Sequence, residues 1–308
     1  MQRNLIGRAW TVSLAALALA MVCLVGCGGA DASDDARPTV VATTTMIADA
    51  TRIIAGDDLR VVGLMRDGED PHVYQPTPQD GNAIADADLV LANGLHLESK
   101  LDKLIQGKAS RLLYLAEQDG IEPIADAGAE SAADPHCWMD VTLFRTYVTG
   151  IRDALIELDP EREDAYTQRA ADYLAELDTL HAWVIEQFES VPAERRVIIT
   201  SHDAFNYFGR AYGVEVHGIV GISTEQQASP RDIQRLEEMI RDKGIRAVFY
   251  ETSVKNTLNE MIKQIAEETG VEVGGSLYSD SLGEQGTEAG TYIGMIRHNT
   301  TTMVEALK

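Results

Sequence analysis

Apolar and polar residues alternate along this chain with two periods. Short apolar runs predict strands at 39–44, 59–65, 88–92 and 111–115, and again at 196–200, 214–220, 245–250 and 271–278. Between them, apolar residues recurring every three or four positions predict helices at 46–55, 78–86 and 97–106, then at 203–212, 230–243, 254–269 and 291–307. Strands alternating with helices are the pattern of α/β layers around mainly parallel sheets, so each half reads as a four-strand α/β lobe. The punctuation agrees. Thr77-Pro78-Gln79-Asp80 and Ser229-Pro230-Arg231-Asp232 each set a hydroxyl cap before a proline at the first helical position, and Gly244 and Gly270 end the helices they follow.

The middle has a different rhythm. Residues 160–190 contain no glycine, and their only proline, Pro160, stands at the entry. Tyr166, Ala170, Tyr173, Leu177, Leu180, Val184 and Phe188 fall on one helical face, and Pro192 closes the run. The pattern predicts two α/β lobes, 38–158 and 192–308, joined by a single long helix over 159–191. A stiff strut of this kind predicts small lobe movements, in contrast to a pair of flexible crossing strands.

The start of the chain follows neither rhythm. Arg3 and Arg8 precede an apolar run from Val12 to Val25, and no acid occurs before Asp31. The run is short for a membrane span and suits a secretory signal over 1–26, with a retained anchor helix as the other reading. Its end, Leu24-Val25-Gly26-Cys27, resembles a bacterial lipobox, which implies cleavage before Cys27 and a lipid on its thiol. Residues 27–37 then form a small, polar, acidic tether.

Charge narrows the function. The chain carries 26 Lys and Arg against 49 Asp and Glu, a net charge of −23, which repels phosphate backbones and excludes nucleic acid as a natural partner. Loss of residues 1–26 takes away two arginines and no acid, so a tethered domain stays in solution beside the membrane. Of three cysteines only Cys137 remains unassigned, so the mature chain has no intramolecular disulfide, and burial as a small apolar residue is its expected role.

Signatures of nucleophilic and phosphate chemistry are missing: no G-x-S-x-G, no G-x-x-x-x-G-K-[ST], no C-x-x-C and no H-E-x-x-H occurs. What remains is histidine in loops. Asp70-Pro71-His72 and Asp134-Pro135-His136 repeat one tripeptide, its proline fixing the backbone before each imidazole. His202 follows strand 196–200 and Asp280 follows strand 271–278, at the carboxyl ends where open α/β sheets bind ligands. A metal shared by these four residues takes two donors from each half and lies between the lobes. Taken alone, each residue reads more readily as an ordinary surface or hydrogen-bonded side chain than as a ligand, and only their joint placement shifts the balance. His96 and His217, also at strand ends, and the acids Glu225 and Glu251 are candidates for the surroundings of such a metal. His181 and His298 read as surface or packing residues.

The segments Asp70-Pro71-His72-Val73-Tyr74-Gln75-Pro76-Thr77, Asp134-Pro135-His136-Cys137-Trp138-Met139-Asp140, Ser201-His202-Asp203-Ala204-Phe205, Gly221-Ile222-Ser223-Thr224-Glu225-Gln226 and Tyr278-Ser279-Asp280-Ser281-Leu282-Gly283 bring a family into view. In this order, the mature chain resembles the cluster A-I solute-binding lipoproteins of zinc and manganese ABC importers. The resemblance implies two α/β lobes joined by one long helix and one divalent ion in the cleft. It further implies His72, His136, His202 and Asp280 as ligands, and delivery to a membrane permease. Residues 73–135 hold one histidine, His96, where many zinc-dedicated members carry a long His- and acid-rich loop, and Cys137 stands where the motif is usually apolar.

Three imidazoles and a carboxylate suit zinc better than manganese, whose preference for oxygen a bidentate Asp280 could meet. The expected cargo is therefore one Zn2+ or Mn2+, leaning to zinc, carried by a monomer at the periplasmic or outer cell surface. Four protein ligands leave no open position for an activated water, so no enzymatic activity is expected. The competing readings are a lipid-anchored metallohydrolase, with Glu225 or Glu251 as its base, and a metal-containing adhesin.

Overall fold

The computed structural model describes residues 37–125 and 133–308. The signal segment 1–26, Cys27 and all but the last residue of the tether lie outside the described residues. In the first half, β1 (Thr39–Ala42), β2 (Arg60–Gly63), β3 (Leu89–Ala92) and β4 (Leu112–Tyr114) pair in the order β2-β1-β3-β4, every pair parallel. Helices α1 (Thr45–Ala55), α2 (Pro78–Asp86) and α3 (Ser99–Lys108) make the crossovers. Two helices follow, α4 (Val141–Leu158) and α5 (Glu163–Glu189). The second half repeats the scheme: β5 (Val197–His202), β6 (Glu215–Val220), β7 (Ala247–Glu251) and β8 (Glu272–Leu277) stand in the order β6-β5-β7-β8, all parallel. Here α6 (Asn206–Tyr212), α7 (Pro230–Lys243) and α8 (Asn256–Thr269) connect the strands, and α9 (Tyr292–Leu307) closes the chain.

Each sheet reverses its strand order between its first and third strands, at β1/β3 and β5/β7. Loops leaving these strands part in opposite directions and open a crevice at their carboxyl ends. Central strands β3 and β5 are buried at every residue, as expected of parallel strands covered on both faces.

Thr77 and Ser229 form capping boxes with Asp80 and Asp232, and Gly213, Gly244 and Gly270 end their helices in the left-handed conformation. The long helix buries the seven residues of the predicted face, from Tyr166 to Phe188. It is shorter than the predicted span, because Pro160–Arg162 form a separate 3₁₀ turn. Its 27 residues span about 40 Å at 1.5 Å per residue.

The sequence reading did not separate α4, which packs along α5, while α1 and α9 pack on α5 from the two halves. One apolar cluster consequently runs through both halves, from Val40 and Met46 through Phe144 and Leu177 to Phe249 and Leu307. Phe144 of α4 stacks on Tyr292 of α9 with ring centroids 3.6 Å apart. Among the described residues no helix is long and apolar enough to cross a membrane.

Candidate metal centre

His72 and His136 occupy tight turns, and both turns are built alike. Proline cannot donate a backbone hydrogen bond, so the aspartate before it turns its carboxylate to the next N–H. Asp70 Oδ1 accepts from the backbone N–H of His72, and Asp134 Oδ1 from that of His136, each at 2.9 Å. The Asp134 oxygen also lies 2.7 Å from His136 Nδ1. Residues Cys137–Met139 then make one 3₁₀ turn into α4, which Asp140 caps by accepting from the Thr142 N–H.

His202 is the last residue of β5, paired with Val220, and does not lie in a turn beyond the strand as the sequence reading has it. Glu251, at the end of the neighbouring β7, grips it twice. Oε1 accepts from the His202 backbone N–H at 2.8 Å, and Oε2 lies 2.8 Å from Nδ1. Gly218 in β6 makes room for this strand end: a Cβ there would stand 2.7 Å from the His202 carbonyl carbon. Asp280 sits three residues beyond β8, its backbone N–H donating to Ser253 Oγ. Trp138 links this segment to the His136 turn, with its indole N–H donating to the Ser279 carbonyl at 3.0 Å.

These placements bring His72, His136, His202 and Asp280 together, all buried, with one donor atom of each inside a sphere where none is more than 4.8 Å from another. His72 Nε2 lies 3.2 Å from His136 Nε2. Asp280 Oδ1 is 3.3 Å from His136 Nε2, and Oδ2 is 3.2 Å from His202 Nε2. Donors about 2.0–2.1 Å from a common tetrahedral ion are about 3.3–3.4 Å apart, so these separations are those of ligands around one cation. His202 Nε2 and Asp280 Oδ1 are buried and make no hydrogen bond among the described residues, and neither do His202 Nδ1 and Glu251 Oε2, which face each other as an ion pair at 2.8 Å. Anchoring Nδ1 of His136 and His202 on carboxylates leaves each Nε2 as the inward donor, the arrangement that orients metal-binding imidazoles.

The cluster is electrically tense. Burial, with the two neighbouring imidazoles, drives His72 down to about 3. Burial acts the same way on His136, but Asp134 and Asp280 outweigh it and push the imidazole up to about 9. His202 is likewise held well above its ordinary value by Glu251 and Asp280 against the effect of burial. Burial opposes ionisation of Asp280 too, yet His202 and His136 keep it well below the usual carboxylate range. Without an ion, protons on two imidazoles offset part of the negative charge of Asp134, Glu251 and Asp280 around them.

Three of the proposed surrounding residues lie elsewhere. His96 is 85% exposed, with Nδ1 3.8 Å from Asp102, because Gly94, Leu95 and His96 all take positive φ and turn it outward. His217 stands on edge strand β6 with Nε2 2.6 Å from Glu215 Oε1, its neighbour on the same face. Glu225 is at the rim, 2.6 Å from Lys100. Glu251 does reach the cluster. Asp134 was overlooked as a supporting residue, although its place in the repeated tripeptide could have marked it. Cys137 is buried, its thiol pushed up to about 12 by burial, and is no member of the donor group. His181 packs on Tyr212, and His298 Nε2 lies 3.0 Å from the Ser276 carbonyl.

Residues 40–306 match the family of the periplasmic zinc-uptake complex component A, ZnuA. The chain is 42% identical to the zinc-binding protein TroA of Treponema pallidum over 91% of its own length and 92% of that protein. It is 38% identical to the manganese-binding lipoprotein MntA of Bacillus subtilis, over 96% of this chain and 98% of the relative. Among solved structures, the periplasmic zinc-binding protein TroA superposes with a TM-score of 0.84 at 41% identity, over 88% of this chain and 99% of TroA. A manganese-bound periplasmic metal-binding protein of Candidatus Liberibacter asiaticus gives 0.80 at 30% identity, over 88% of this chain and all (100%) of that one.

Proposed function

This chain belongs to the family of periplasmic zinc-uptake component A, and we propose that it is the extracytoplasmic receptor of a metal ABC importer. It binds one divalent transition-metal ion, zinc or manganese, and hands it to a membrane permease. Support comes from one observation above all: three imidazole nitrogens and a carboxylate, two donors from each half of the chain, converge at the spacing of ligands around a single cation. Ligands drawn from two lobes, 38–158 and 192–308, stand on separate strand ends and loops that can part for release, which a one-loop structural zinc knuckle does not permit.

The ligands in this reading are His72, His136, His202 and Asp280, with Asp134 and Glu251 fixing two of the imidazoles. Zinc is the preferred cargo because imidazole dominates the donor set. Both Asp280 oxygens face imidazole donors, so a bidentate carboxylate also accommodates manganese. The chain acts as a carrier and not as an enzyme, since each carboxylate beside the cluster is already engaged, Asp134 and Glu251 by imidazoles and Asp70 by the His72 backbone and Thr224, and offers no free base. We further infer a monomer exported by residues 1–26 and tethered through lipid on Cys27, facing the periplasm or the outer cell surface.

Metal analysis of chain purified without chelator is expected to find one ion per molecule. His202→Ala and Asp280→Ala should each weaken zinc binding by more than about a hundredfold, since even supporting residues cost 10–100-fold. Binding undiminished by both changes refutes the site, and manganese displacing zinc at equal concentration refutes the preference.

A further inference from the structure

The two sides of the cleft are fastened differently. Beside Asp280, main-chain groups carry three crossings: the Ser279 carbonyl accepts from Trp138, Leu282 N–H donates to Thr45 Oγ1, and Gly68 N–H donates to Ser281 Oγ; the Thr45 and Ser281 hydroxyls add a fourth at 3.4 Å. Across the cleft, loop 221–228 reaches the first half through side chains. Thr224 Oγ1 donates to Asp70 Oδ2 at 2.6 Å, and Lys100 Nζ lies 2.6 Å from Glu225 Oε1. Thr224 is buried, whereas the Lys100–Glu225 pair is partly exposed at the rim.

Here the two Asp-Pro-His turns part company. Each aspartate holds its histidine backbone with Oδ1 and reaches the second half with Oδ2, to Thr224 from Asp70 and to Asn206 from Asp134. Asp134, however, also grips the imidazole of His136, as Glu251 grips that of His202. Asp70 touches only the backbone of His72. The position of that ring therefore depends on where Asp70 is held, and Asp70 is held by the opposite half. His72 is also the most exposed of the four donors, at 5%.

We propose that Asp70 and Thr224 form a latch between the halves that sets the rate of metal release through His72. Loop 221–228 seats Thr224 on Asp70, Asp70 fixes the His72 turn, and loss of that one hydrogen bond makes His72 the first ligand to leave. Asp70 and Thr224 are positioning residues, since neither belongs to the donor group. The inference rests on the receptor reading and adds an order of events to it.

The test uses the zinc-loaded chain and stopped-flow transfer of Zn2+ to a chromogenic chelator. Thr224→Val keeps the shape and removes the donor. It should speed release about ten- to hundredfold, the scale of one hydrogen bond to a charged acceptor, with association changed less than about threefold. Thr224→Ser should restore slow release, and Lys100→Ala should alter it less than about threefold, as for an exposed ion pair. A double-mutant cycle on zinc affinity separates a latch from a general lid: in a His72→Ala background the Thr224→Val change should have no further effect. Unchanged release in Thr224→Val, failure of serine to rescue, or equal losses in both backgrounds overturns the latch. A parent chain that takes up no zinc defeats the receptor reading itself, whereas one that binds zinc and ignores Thr224 defeats only the latch.

Discussion

His136 and His202 together carry the pH behaviour of the cluster. Asp134 and Asp280 hold the His136 imidazole up to about 9, so below that value an ion must displace its proton to bind, and above it this part of the competition falls away. His202, raised in the same direction, adds to the competition, while His72, down at about 3, does not compete near neutrality. Apparent zinc affinity should thus keep rising from pH 6 to 9, by about tenfold per unit for each proton displaced, where unperturbed imidazoles would level off just above their ordinary pKa of about 6.5. Calorimetry in buffers of different ionisation enthalpy should count one to two protons released per ion at pH 7.5, and a flat profile above pH 7 contradicts the arrangement. Asp134→Asn should flatten the rise above pH 7 and weaken binding about 10–100-fold. The four donors were legible because two sit in a repeated tripeptide and two at strand ends. Strand-end position alone also nominated His96 and His217, which a left-handed turn and an outward strand face carry away. Asp134 received no role of its own in the sequence: the repeated tripeptide sets it beside His136, but Asp70 holds the same place without reaching its imidazole, so only the fold tells the two apart.

Helix α5 was the most readable element, since seven apolar residues repeat at helical spacing without a glycine, and those seven are buried. Helix α4 was not, although Val141, Phe144, Tyr147, Val148, Ile151 and Leu155 all turn inward. Those six recur at helical spacing, so the period was there to be read; Gly150 and the β-branched residues lower the intrinsic helix propensity of the segment, and no element was assigned to it. Because the inner face of α5 touches elements of both halves, truncating it should unsettle the whole chain. Leu177→Ala, at a fully buried position, should cost about 2–5 kcal/mol in urea unfolding. Ile185→Ala, on the outer face at 41% exposure, should cost less than about 0.5 kcal/mol. Similar losses at the two positions would mean that α5 is not anchored by this face.

At the scale of the molecule, two sheets of identical strand order face a shared cleft and are joined by one continuous core. The apolar cluster that begins at Val40 in β1 continues through α4 and α5 to Leu307 in α9, and close-packed interiors resist continuous deformation. Wide closure would tear this cluster, and the Phe144–Tyr292 stack within it, whereas shifts of the loops at the strand ends would not. Metal capture should then leave the distance between the halves nearly fixed. Spin labels on cysteines introduced at Ile53 in α1 and Gln234 in α7, both exposed, report that distance once Cys23 and Cys27 are replaced, and Cys137, the free cysteine among the described residues, is buried. Between zinc-free and zinc-loaded protein the mean separation should change by less than about 2 Å, the scale that divides rigid partners from hinge-closing ones. A larger change would make the long helix a hinge, and release would then follow from the halves parting rather than from a loop lifting off His72.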